Sequence, residues 1–167
     1  TGDSRIPNIL LAAYINDGHM EMAEKFYKQM VEKGMTPSYT TWELLTWGYL
    51  KLKKVEKVLD CFNKAIGSVK KWEPDVKMVK EVSGMLEASG NIEGAEKLLV
   101  TLRHAGHLNT GIYNSLLRTY AKAGKMPVVV AERMKKDNVQ PDEDTRQLIQ
   151  LTSRMCVTEV PSSILGE

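Results

Sequence analysis

Few residues in this 167-residue chain have types and spacings that could do chemistry, and most of them fall away on inspection. His104 and His107 stand three positions apart, close enough to share a helix face. Neither has a cysteine or a convincing acidic partner nearby, and a zinc site needs three or four ligands. His19-Met20-Glu21 matches the His-x-Glu half of a zinc deaminase signature, but Cys61 and Cys156 stand alone and the Pro-Cys-x-x-Cys half is missing. Asp142-Glu143-Asp144 has the carboxylates of a metal nuclease, yet negative charge at the start of a helix explains the cluster as well. No nucleophile–base pair, phosphate loop or dinucleotide fingerprint is present. The chain therefore reads as non-enzymatic, with no cofactor and no metal.

Asparagine is harder to dismiss. Asn8-x-Leu10-Leu11-x-x-Tyr14-x-x-x-Gly18 recurs as Asn114-x-Leu116-Leu117-x-x-Tyr120-x-x-x-Gly124, 106 positions later. Asparagine is a mediocre residue for a helix interior, so its double use at one position points to a polar contact. Its amide offers both a donor and an acceptor.

The gap of 106 divides into three steps of about 35, and the intervening copies are legible. Tyr14 recurs as Tyr49 and Tyr120, with Leu86 in the slot between. Gly18 recurs as Gly90 and Gly124, with Lys53 in the remaining slot. Pro37-Ser38, Pro74-Asp75 and Pro141-Asp142 repeat a proline followed by a helix-capping residue; Leu108-Asn109 keeps the capping residue alone. The units are 4–38, 39–75, 76–109 and 110–142, with a truncated fifth over 143–151.

Each unit reads as two helices. The first carries apolar residues at helical spacing, such as Leu45, Tyr49 and Leu52, and stops near its glycine. The second starts around Met20, Val55, Ile92 or Met126 and ends where proline forbids continuation. No strand alternation is visible. One helix pair cannot bury its apolar face alone, whereas stacked pairs share a continuous core. The expected fold is an all-α solenoid over 1–151, and 152–167 has no clear period and is expected to be partly frayed.

Composition agrees. Hydrophobic residues at 43% and charged residues at 26% suit a soluble globular chain. The net charge of +2 means that an anionic partner must be held by local patches. No apolar run approaches the roughly 20 residues that cross a bilayer, so no membrane partner is expected. Two unpaired cysteines suit a reducing compartment. The chain opens Thr1-Gly2-Asp3, without a starting Met or a Ser-rich leader, and reads as processed or shortened. The first unit begins almost at residue 1 without a polar cap, so upstream repeats are expected, and the open end is expected to favour self-association.

A period near 35 carrying "YNSLLRTYAKAG", "NILLAAYINDGHMEMAEKFYKQMVEKGMTP" and "NVQPD" resembles the pentatricopeptide repeat family, of the plain type with 35-residue units. The likeness covers about residues 4–150 and is strongest in units one and four. The resemblance implies a right-handed α-solenoid in a plant chloroplast or mitochondrion, binding single-stranded RNA at one base per repeat. It also implies that the fifth residue of each unit and its last residue meet the edge of one base. Those pairs are Asn8 with Ser38, Glu43 with Asp75, Lys80 with Asn109, and Asn114 with Asp142. In the family, Asn with Ser favours cytosine and Asn with Asp favours uracil. The pairs of Glu43 and Lys80 match no common combination, and the second positions, Arg5, Thr40, Lys77 and Gly111, lack the family's aliphatic residue.

Two readings stand for Ser38, Asp75, Asn109 and Asp142: capping alone, or capping combined with base contact. Arg118 and Lys122, one turn apart on the helix of Asn114, are candidate phosphate contacts, and Lys51 shares the repeat position of Lys122. Trp47, one turn beyond Glu43, is a candidate for stacking on a base. The rival function is a protein-interaction scaffold within a ribonucleoprotein assembly, using the same groove; Glu43 and the low net charge favour it. Other proteins of an RNA-processing complex are possible partners on either reading.

Overall fold

The computed structural model describes residues 3–157. The fold is all-α: among the described residues, nine helices follow one another as helix–turn–helix pairs, the arrangement of an α-solenoid. The chain divides into two compact units, Thr1–Glu73 and Pro74–Glu167.

The first unit holds α1 (Arg5–Asn16), α2 (Met20–Glu32), α3 (Tyr39–Lys51) and α4 (Val55–Gly67). Helix α3 packs on both α1 and α4. Leu11, Ile15, Ala23, Met30, Leu45, Val58 and Phe62 are buried in its core. The second unit holds α5 (Val76–Ser89), α6 (Ile92–His104), α7 (Thr110–Ala123), α8 (Val130–Lys136) and α9 (Glu143–Thr152). Helix α7 is central, contacting α5, α6 and α9. Tyr113, Leu116, Leu117 and Tyr120 on α7 form one core with Leu99, Val130 and Met134. No helix among the described residues is long and apolar enough to cross a membrane.

The punctuation of the helices repeats with the sequence. First helices end at residues of positive φ: Gly18 at 79°, Lys53 at 55°, Gly90 at 60° and Gly124 at 71°. Lysine thus adopts in one unit a left-handed conformation that glycine adopts at lower steric cost in the other three. The second helices of three units end at Gly34, Gly106 and Asn138, also of positive φ. The first helices α3, α5, α7 and α9 begin at Ser38, Asp75, Asn109 and Asp142, and all four side chains accept a backbone N–H of the first turn.

Three of the expected starts for second helices, Met20, Val55 and Ile92, coincide with the observed ones. Met126 does not. It lies in a two-residue strand, β1 (Lys125–Met126), paired in parallel with β2 (Cys156–Val157), and α8 starts only at Val130. Proline at 127 drives the preceding residue towards extended backbone, and the run Val128-Val129-Val130 is a poor helix start. Val129 itself adopts a φ of 41° to enter the helix. A two-residue ladder is too short to leave an alternating pattern and is invisible to periodicity. Cys156–Val157, in the tail expected to be partly frayed, form β2, and residues 158–167 of that tail lie outside the described residues.

Candidate functional site

The two repeated asparagines are buried, with Asn8 6% and Asn114 5% exposed. Each closes a three-residue cluster that joins one repeat to the next. In the first unit, Asn8 Nδ2 donates to Ser38 Oγ at 3.1 Å, and Thr41 Oγ1 donates to Asn8 Oδ1 at 2.7 Å. In the second unit, Asn114 Nδ2 donates to Asp142 Oδ1 at 3.1 Å, and Thr145 Oγ1 donates to Asn114 Oδ1 at 2.6 Å. The fifth and last residues of these repeats are therefore direct hydrogen-bond partners, although 30 and 28 positions separate them.

Helix capping supplies the frame. Ser38 with Thr41, and Asp142 with Thr145, form complete capping boxes in which each threonine hydroxyl also accepts the N–H of the cap residue. Hydrogen bonds hold the Asp142 carboxyl below its ordinary value. The Thr145 backbone N–H lowers its pKa most, followed by the amide of Asn114 and the hydroxyl of Thr145. Thr41 and Thr145 are fully buried. Sequence reading missed both, although Ser-x-x-Thr and Asp-x-x-Thr after a proline are visible signs of a capping box.

The other two pairs are built differently. Among the described residues, the Asp75 and Asn109 side chains accept the backbone N–H of Met78 and Ile112 and no side-chain donor. Lys80 is exposed on α5, and Lys80 and Asn109 line the same open cavity of about 570 Å³ between α5 and α7. Val79 and Ile112 give that cavity apolar walls, with Lys80 and Arg118 as cations and Glu87 as a carboxylate. Glu43 and Trp47 are half-buried on α3 in the first unit, whereas Asp75 caps α5 in the second.

Arg118 is not an open cation. Glu87 receives its Nε at 2.9 Å and also accepts the hydroxyl of Ser115. Lys51 and Lys122 are exposed in the last turns of α3 and α7, where a cation also complements the helix dipole. Lys57, from the basic run after Lys51, is paired with Glu24 at 3.0 Å. Of the three tryptophans, Trp72 is buried edge-on against Phe62, and Trp42 packs on Tyr27 beneath Lys64. His104 is exposed and His107 half-buried; among the described residues no group of three or more His, Cys, Asp or Glu side chains is placed to hold a metal ion.

A second recurring cluster ties second helices to the repeat that follows. Tyr49 donates to Glu24, which also receives Lys57. Tyr120 donates to Glu96, which also receives Arg133 through two nitrogens. Burial first, then the neighbouring carboxylate, pushes both phenols far above their ordinary value, so they remain donors across the whole working range of pH. Ala23-Glu24-Lys25 and Ala95-Glu96-Lys97 share a register, and that repeated carboxylate within an apolar face was the available signal.

Two family models match the chain: one for the PPR repeat family over residues 3–46, and one for the PPR repeat over residues 111–131. The chain is 60% identical over 164 residues to a mitochondrial pentatricopeptide repeat-containing protein of Arabidopsis thaliana, covering 98% of this chain and 31% of that protein. It is 31% identical over 159 residues to a large ribosomal subunit protein of the same plant, covering 92% of this chain and 32% of that one. A second mitochondrial pentatricopeptide repeat-containing protein of Arabidopsis thaliana is 33% identical over 123 residues, covering 73% of this chain and 24% of its own length. The chain thus spans about a quarter to a third of the length of these curated relatives.

Proposed function

Because the chain belongs to the pentatricopeptide repeat family, we propose that it binds single-stranded RNA in a plant organelle, in the service of RNA processing, splicing, stability or translation. One observation carries this reading: the same cluster of asparagine, cap residue and threonine stands at two matching points of the repeat. Each brings the fifth and last residues together with one face of the amide tied down, as a reader of one base requires. The names of two relatives favour the mitochondrion over the chloroplast.

The expected target has a cytosine opposite Asn8 and Ser38, two poorly read bases, then a uracil opposite Asn114 and Asp142. Glu43 with Asp75, and Lys80 with Asn109, supply the two weak positions. Lys51, Lys122 and the exposed part of Arg118 supply phosphate contacts, and Trp47 a stacking surface. The clamp of Glu87 makes Arg118 the weakest of the three cations. The test is binding to short single-stranded RNAs at two salt concentrations, comparing the spaced pyrimidine sequence with a scrambled one and with poly-purine. Selectivity that survives higher salt supports base reading, whereas sequence-blind binding that vanishes with salt leaves phosphate contacts alone.

The apolar walls of the cavity beside Lys80 favour a second reading, a protein scaffold within a ribonucleoprotein assembly. The ribosomal-subunit relative agrees with it. Absence of RNA binding at both salts would move the assignment there. Self-association belongs to either reading and has a surface to use: Ile6, Ile9 and Leu10 expose an apolar stripe on α1. A mass that rises with concentration in sedimentation, and falls when Ile9→Lys is introduced, is the corresponding test.

A further inference from the structure

We propose that Thr145, and in the same way Thr41, is a specificity-determining positioning residue: its hydroxyl fixes which edge of the preceding repeat's asparagine amide is turned outward. This rests on the base-reading role given above to Asn114 and Asn8.

The Thr145 hydroxyl accepts the Asp142 N–H at 3.1 Å, and its single O–H then has two oxygens in reach. Asn114 Oδ1 at 2.6 Å is nearer than Asp142 Oδ1 at 2.9 Å. Donation to Asn114 makes that amide oxygen the inward edge. On the other side Asp142 offers only acceptors, so the Asn114 NH₂ must face it. A flipped amide would set two oxygens against each other and leave the NH₂ beside a hydroxyl. The amide therefore presents one polarity, an N–H donor beside a carboxylate acceptor.

Removing the hydroxyl breaks this. Asn114 Oδ1 is buried, and without Thr145 it loses its donor. It must turn towards water or a base to recover one, and a turning amide reads donors and acceptors alike. Ser38, unlike Asp142, is a hydroxyl that either gives or takes a hydrogen bond, so the Asn8 amide is held in one sense chiefly by Thr41.

The sequence register carries the point independently. The third residue of each following unit is Thr41, Met78, Ile112 and Thr145, and the fifth residues before them are Asn8, Glu43, Lys80 and Asn114. Threonine accompanies asparagine both times, and an apolar residue accompanies the two off-pattern charges. Only the threonine junctions are complete capping boxes. A reading site is thus finished by the next repeat, and repeats two and three lack that finish as well as the asparagine.

The experiment uses the full chain with Thr145→Val and Thr145→Ser. Short RNAs differ only at the base facing Asn114, with the base facing Asn8 varied as an internal control. The unaltered chain and Thr145→Ser are expected to prefer a pyrimidine at that position by about 5–10-fold, the worth of one hydrogen bond. Thr145→Val is expected to bring that ratio close to one while keeping selectivity opposite Asn8. Loss of the helix cap alone would lower stability and total affinity without moving the ratio at one position. An unchanged ratio in Thr145→Val overturns the proposal. If the unaltered chain shows no base preference, the base-reading role itself fails. The side-chain NH₂ signals of Asn114 in ¹⁵N spectra of the RNA-free protein then decide the positioning claim. They should stay sharp and in place in Thr145→Ser and shift or broaden in Thr145→Val; no change in Thr145→Val overturns it.

Discussion

Glu96→Ala should be among the most damaging single changes in the second unit. Glu96 is 1% exposed and its partner Arg133 10%, so the pair is cut off from solvent. The carboxylate receives the Tyr120 hydroxyl and both terminal nitrogens of Arg133, whose buried Nε has no hydrogen-bond partner among the described residues. Truncation leaves a buried guanidinium uncompensated and a buried phenol without its acceptor, a loss of about 3–5 kcal/mol. The equivalent carboxylate of the first unit gives the contrast. Glu24 and Lys57 are 27% and 53% exposed, so water screens their pairing. Glu24→Ala should cost only about 1–2 kcal/mol, most of it the lost bond from Tyr49. Urea unfolding of the full chain measures both values, and hydrogen exchange locates the loss from Glu96→Ala in residues 74–152. A double change, Glu96→Leu with Arg133→Met, should recover the part of the loss that comes from the uncompensated guanidinium, while the Tyr120 hydroxyl stays without its acceptor. The reasoning fails if Glu96→Ala costs no more than Glu24→Ala, or if the double change is as damaging as the single one.

Three further outcomes follow from the same geometry. Lys53→Gly should stabilise by up to about 1 kcal/mol by relieving a left-handed lysine, whereas Gly90→Ala should cost about 1–2 kcal/mol; opposite shifts of the thermal midpoint check the pair. Burial raises the Asp137 pKa, but the two-pronged bond from Arg103 and the Tyr113 hydroxyl outweigh it and hold the carboxyl below its ordinary value of 3.8. The native pKa is the depressed one, so this contribution is complete above the ordinary value and disappears as pH falls through the native value below it; Asp137→Asn should flatten that acid limb in pH-dependent unfolding. Cys61 is buried, and burial, with Asp60 next, pushes its thiol up to about 11, so near pH 8 a thiol reagent should label Cys156 quickly and Cys61 only on unfolding, as mass spectrometry of the labelled peptides would report.

The repeat frame was legible because its signals are local. Glycine at 18, 90 and 124 and the cap residues at 38, 75, 109 and 142 each act within one helical turn. Lys53 could be assigned to a glycine slot by register, but its positive φ could not be read from its type. Met126 does not start its helix because Pro127 drives the preceding residue towards extended backbone, an effect just as local as the caps. The asparagines were found from their recurrence, yet their burial depends on partners about 30 positions away in the next repeat. By residue type, Glu96 belongs on a surface. Only the packing of Tyr120 and Arg133 from the following repeat makes it a core residue, and no period within one helix contains that information.

The double duty proposed for the last residue in each unit would limit how such a chain can change. Ser38, Asp75, Asn109 and Asp142 each hold the first turn of a helix through a side-chain oxygen. The residue types that do this well are essentially serine, threonine, asparagine and aspartate. A proposed reader built on that position draws its vocabulary from those four. Any step outside them alters the recognised base only by loosening a helix at the same time, by about 1 kcal/mol per cap. A proposed recoding and folding are therefore coupled at these four positions, whereas the fifth position of each unit caps nothing and holds asparagine, glutamate, lysine and asparagine in turn.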